Sequence, residues 1–179
     1  STQSFRGVDQ GVFHRLLFNT MVISPLASAQ DRMPPLGSDQ MTEAQKKAAA
    51  ELVAGPRGRV IGPFVALLRS PEFMSRLQKT GEYLRFHSAL GARLNEFVIL
   101  VTARQWTQQF EWHAHYPIAL KAGIKADVAQ AIAEGRRPVG MAEDEEVVYE
   151  FCDELFRTQG VSDATYAGAV TKFGEQGVI

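Results

Sequence analysis

The reading turns on residues 93–123, RLNEFVILVTARQWTQQFEWHAHYPIALKAG. Phe97, Leu100, Val101 and Arg104 follow the 3–4 spacing of a helix face, and Val98 and Ile99 widen its apolar side. One straight helix over the whole stretch conflicts with two features. Pro117 would meet the carbonyl of His113 and remove one ladder hydrogen bond. The polar run Gln105 to Gln109 is a second weak point, where Thr107 can cap a new helix that begins at Gln108 and carries Glu111 near its start. Glu96 lies inside the apolar pattern of Leu94, Phe97 and Leu100, where a carboxylate is costly unless paired. In an unbroken helix it would stand ~22 Å from Glu111, so only a reversal near Thr107 can bring the two into one site.

The pattern on either side is also helical. Thr42 caps a helix through Val53, which Gly55-Pro56-Arg57-Gly58 ends. Pro63 suits a first helical turn, and Phe64, Leu67 and Leu68 continue it to a break at Ser70-Pro71, beyond which Met74 and Leu77 keep the spacing. Gly81 is expected to punctuate the chain, with a separate short helix from Tyr83 to Leu90. After Gly123, helices are expected over Ala126–Glu134, Ala142–Thr158 and, capped by Ser162, Asp163 to Lys172, with Gly174 as the last stop. Glu143 to Glu146 at the start of the long one and Arg157 near its end complement the helix dipole. No stretch alternates with period two for long, so the expected class is all-α.

Composition narrows the function classes. A length of 179 residues suits one domain. A net charge of -1 without a Lys/Arg run argues against a nucleic-acid partner. A single Cys excludes an internal disulfide framework or a CxxC pair in this chain. No apolar run is long enough for a membrane-spanning helix. At the amino end, Arg6, His14 and Arg15 precede an apolar stretch from Leu16 to Leu26, then Ala27-Ser28-Ala29. That order is the one found in a secretory signal peptide, although Asp9, Asn19, Thr20, Ser24 and Pro25 dilute it. Two readings stay open. Cleavage near Gln30 would place the protein in the periplasm or outside the cell, and an uncleaved arm would leave it cytoplasmic. Pro34-Pro35, Gly37, Ser38 and Asp39 read as a linker, so the helical domain is expected over residues 41–179.

The densest cluster of polar chemistry is Gln108, Gln109, Glu111, His113 and His115. Glu111 and His115, four apart, share a helix face. A carboxylate beside an imidazole fixes its orientation and makes a usable general acid, although the same spacing also describes an ordinary surface pair. His113 and His115 point ~200° apart on a helix, so a metal site would need Glu96, His87 or a second subunit to complete it. Arg85 and His87 are candidates to bind an anionic substrate group, or form a solvated helix face. Trp106 and Trp112 read as core or subunit-contact residues, and Cys152 as a small packing residue. No P-loop and no G-x-S-x-G elbow occurs.

The Glu on an apolar helix (Arg93 to Leu100), then Glu111-Trp112-His113-Ala114-His115, then Ala119-Leu120-Lys121-Ala122-Gly123, resembles the carboxymuconolactone decarboxylase family. The likeness covers residues 60 to 140 well and the following helices more loosely. Its specificity lies in the order and spacing of short motifs. The resemblance implies an alkyl hydroperoxidase D-like helical bundle, a homotrimer or homohexamer, and a site near subunit contacts. Hydroperoxidase relatives carry a Glu, a C-x-x-C and a His at spacings that here fall on Glu96, Gln108, Glu111 and His115. Without either thiol, a dithiol peroxidase is not supported. The family pattern also continues past Gly174-Glu175-Gln176-Gly177 into a further apolar helix, so a shortened chain is expected. The implied activity is decarboxylation of a small unsaturated lactone or related acid, with no cofactor and no metal. In that reading His115 donates the proton, Glu111 and Glu96 support it, and Arg85, His87, Gln108 and Trp112 contact substrate. Two rivals are a non-catalytic oligomer that binds a small metabolite and a His/Glu metal protein.

Overall fold

Thr42 opens the first helix with a reciprocal cap. Its hydroxyl accepts from the Gln45 N–H at 3.3 Å, while the Gln45 side chain accepts from the Thr42 N–H at 2.9 Å. In the computed structural model, which describes residues 31–179, eight helices follow one another without a strand among the described residues. They are α1 (Glu43–Ala54), α2 (Pro63–Leu67), α3 (Pro71–Phe86), α4 (Gly91–Gln105), α5 (Gln109–Ala122), α6 (Ala126–Ala133), α7 (Glu143–Thr158) and α8 (Asp163–Val178). The all-α expectation holds. The signal-peptide-like pattern lies outside the described residues. None of the described helices is long and apolar enough to cross a membrane. The linker-like segment has no helix, but Leu36 packs against the core and the Pro34 carbonyl accepts from Arg69 at 2.6 Å.

Three local expectations need correction. Gly81 does not break the chain: α3 runs from Pro71 to Phe86 through it, and the separate helix Tyr83–Leu90 does not form. A glycine costs a helix interior only ~1 kcal/mol, too little to end one that is anchored on both sides. Thr107 is not an N-cap. Its φ is 53°, and it ends α4: Thr107 N–H donates to the Arg104 carbonyl at 3.2 Å and Gln108 N–H to the Ala103 carbonyl at 2.8 Å. This is the Schellman pattern, with a threonine where glycine is usual. The N-cap of α5 is Gln108, and α5 continues through Pro117. Gly174 does interrupt the last helix (φ 70°, ψ 171°), but a further helical turn resumes and reaches Val178.

Two apolar clusters hold these helices. Ala48, Leu52, Leu68 and Met74 join α1 and α3 beneath the α2 region. Leu94, Phe97, Leu100, Ala119, Val128, Ile132, Val148 and Cys152 join α4 to α5, α6 and α7. The start of α7 is fixed electrostatically. Arg93 binds both Asp144, at 2.5 Å, and the buried Glu145, whose other oxygen accepts from the Ala142 N–H at 2.9 Å. The α4–α5 hairpin is the frame of the larger cluster. Its reversal at Trp106–Gln108 lays α5 back along α4.

Candidate active site

That reversal brings Glu96 and His115 together. Glu96 and His115 are both buried, at 4% and 7% exposure. The His115 Nδ1 lies 2.6 Å from the Glu96 carboxylate. An ionised carboxylate only accepts, so pairing with it places a proton on Nδ1 and leaves Nε2 as the working nitrogen. Nε2 lies 3.5 Å from the Glu111 carboxylate, which is 38% exposed. The imidazole therefore sits between two carboxylates, one buried behind it and one toward solvent.

His115 and Glu111 open onto a cavity of about 730 Å³ that also touches α3, α4, α7 and α8. Its walls are mainly apolar, among them Val98, Ile99, Phe151, Phe156 and Phe173. Glu96 does not line it and reaches it only through His115. Cys152 does line it, and burial pushes that thiol up to about 11. It is therefore a neutral wall group at physiological pH.

The suggested substrate contacts separate. Arg85 lines the cavity, and Asn95 supports it by donating from Nδ2 to the Arg85 carbonyl at 3.0 Å. His87 is exposed and outside the cavity, because two residues along a helix end turn it ~200° from Arg85. Gln108 is also exposed and outside it, since its backbone is committed to the turn and to the first α5 hydrogen bond, from the Trp112 N–H at 3.0 Å. Trp112 follows Glu111 by ~100° around α5 and so faces the core, where it stacks on Tyr116 at 5.9 Å. Trp106, expected in the core or a contact, is 68% exposed at the hairpin turn. His113 is exposed on the side of α5 away from His115. Among the described residues, no group of three or more His, Cys, Asp or Glu is placed to hold a metal ion. Glu96 and Glu111 approach opposite nitrogens of one ring and do not converge on a common point.

Sequence reasoning missed Arg57. It was legible only as part of a glycine–proline turn, yet it lines the cavity, with its guanidinium over the Phe64 ring at 4.9 Å. Burial, and next the neighbouring Arg85, lower its pKa from the ordinary guanidinium value, while Glu82 and Glu111 oppose that shift. Gly81 supplied the one available signal. A side chain there would place its Cβ 3.0 Å from an Arg57 terminal nitrogen, so glycine makes room for the arginine against α3.

Fold and site together define an all-helical protein built around a buried carboxylate–imidazole pair at the wall of an apolar cavity. Residues 71–151, from α3 into α7, match the model of the carboxymuconolactone decarboxylase family. No curated protein and no solved structure matches the chain.

Proposed function

We propose that the protein is a cofactor-independent decarboxylase of a small unsaturated lactone or related acid. The observation that carries this reading is His115. One nitrogen is fixed by the buried Glu96, and the ring lines an apolar cavity beside Glu111. In the reaction, the bond between the ring carbon and the departing carboxylate breaks. Its electron pair passes through the conjugated system to the lactone carbonyl, and carbon dioxide leaves. Nε2–H of protonated His115 then returns a proton to carbon. Glu96 keeps the ring in place, and Glu111 sits where the proton is exchanged with solvent. The apolar walls favour loss of a charged carboxylate as a neutral gas, because the ionised ground state is poorly solvated there. Arg85 supplies positive charge to the carbonyl oxygen as it becomes negative.

A thiol peroxidase is disfavoured for this chain. No thiol stands on α5, and Cys152 is held neutral by burial. Assembly into a trimer or hexamer belongs to the same reading. It is supported by the exposed Phe73, Leu77 and Leu84 along one face of α3, which light scattering can relate to a mass above 19.8 kDa.

The test follows carbon dioxide release from 4-carboxymuconolactone. Turnover by the parent protein should fall by at least about a hundredfold in His115→Gln, with the helical signal retained. Unchanged release in His115→Gln would remove His115 from the mechanism. Saturable binding without product would identify a metabolite-binding protein instead.

A further inference from the structure

The cavity carries cationic groups that the proton chemistry of His115 does not require. Arg57 and Arg85 both line it, and among the described residues neither guanidinium has an ion-pair partner within 4.0 Å. The Arg57 Nε is buried and makes no hydrogen bond. Phe64 covers one face of this guanidinium and Gly81 leaves room beside it, which leaves its edge for a ligand. A buried donor without a partner is costly, and two unpaired cations at one cavity repel each other. An anionic group on the ligand removes both costs at once.

We propose that Arg57 binds an acid group of the ligand, so that the cavity selects small apolar anions over neutral molecules of the same shape. This deepens the decarboxylase reading by naming its substrate class, and it rests on the same cavity being the substrate site. The acid group concerned is one that the ligand retains. A cation placed on the departing carboxylate would stabilise the ground state and slow its loss, so Arg57 serves a second carboxylate. Arg57 lies on the loop between α1 and α2, outside the family-matched residues 71–151. The α4–α5 hairpin thus brings the proton machinery, and the preceding loop brings substrate selection.

The experiment compares two probes of matched shape, 2-naphthoate and 2-naphthamide, by calorimetric titration of the full chain. The parent protein should bind the acid at least about tenfold more tightly than the amide, as expected for one charge-assisted contact. Arg57→Met should lose most of that preference while still binding the amide, which shows the cavity intact, and Arg57→Lys should restore part of it. His115→Gln should keep the preference. Equal affinity for the two probes in the parent, no binding of either, or a preference that survives in Arg57→Met would each overturn the assignment. Loss of carbon dioxide release alone would not, because acid selection is read without turnover. A protein that prefers the acid yet releases no carbon dioxide would refute the decarboxylase reading and leave Arg57 as the anion-binding residue.

Discussion

At the scale of single residues, the site depends on a buried contact that spans 19 positions in sequence, Glu96 to His115. Removing Glu96 leaves Nδ1 buried without its partner, and the cost falls on both stability and orientation. Glu96→Ala should lower unfolding free energy by about 1–3 kcal/mol in urea titration and reduce turnover with it. Glu96→Gln, which can still accept from Nδ1–H, should recover much of the stability but less of the activity, since a neutral amide is a weaker acceptor than a carboxylate and holds the ring less firmly. Cys152 makes a separate prediction. Burial raises its pKa to about 11, so the folded thiol stays neutral where an unfolded one ionises. The unfolded state therefore binds fewer protons in alkaline solution. The stabilisation is fully present below about pH 9 and is lost as pH rises toward about 11. Alkylation of folded protein at pH 8 should run roughly a hundredfold slower than for an exposed cysteine, by mass spectrometry. Rapid labelling would mean that the thiol is not sheltered.

At the scale of elements, the α4–α5 hairpin decides whether a site exists. Its turn places a β-branched residue, Thr107, at φ 53°, where side chains other than glycine are strained. Thr107→Gly should therefore raise stability by about 1 kcal/mol, measured as a shift in thermal midpoint, with turnover unchanged. A destabilised Thr107→Gly would show that its side chain matters more than its backbone. This turn also explains a partial reading. A break near Thr107 follows from the weak polar run and the need to pair Glu96, but a threonine there suggests the start of a helix. Only the backbone hydrogen bonds reveal that it finishes one. Gly81 misleads in the opposite direction. Its propensity points to a stop, whereas α3 passes through it and uses the missing side chain to seat Arg57.

At the scale of the whole molecule, the cavity draws its wall from elements far apart in sequence, from the loop before α2 to the end of α8. Its shape depends on α7 staying docked on α4, and the Arg93 contacts to Asp144 and Glu145 join the two. Arg93 is partly exposed and Glu145 is buried, so the loss falls mainly on the stranded carboxylate. Arg93→Met should cost about 2 kcal/mol of unfolding free energy, less than a fully buried pair, and should weaken ligand binding in parallel. Full ligand affinity in Arg93→Met would show that α7 holds its place by apolar packing alone.

The sequence by itself determined the helical class, the break in residues 93–123 and the pairing candidates Glu96, Glu111 and His115. Helical periodicity and the cost of a lone buried carboxylate are local properties that any reader of the chain can apply. Which candidates share a space was decided only by the tertiary structure. The hairpin reversal set Glu96 against His115. Helical phase turned Trp112 into the core and left His87 outside the cavity. Docking of the α1–α2 loop on α3 brought in Arg57, which no motif marks. Such placements arise from packing between segments distant in sequence, and spacing along a chain carries no record of which loop closes over which helix.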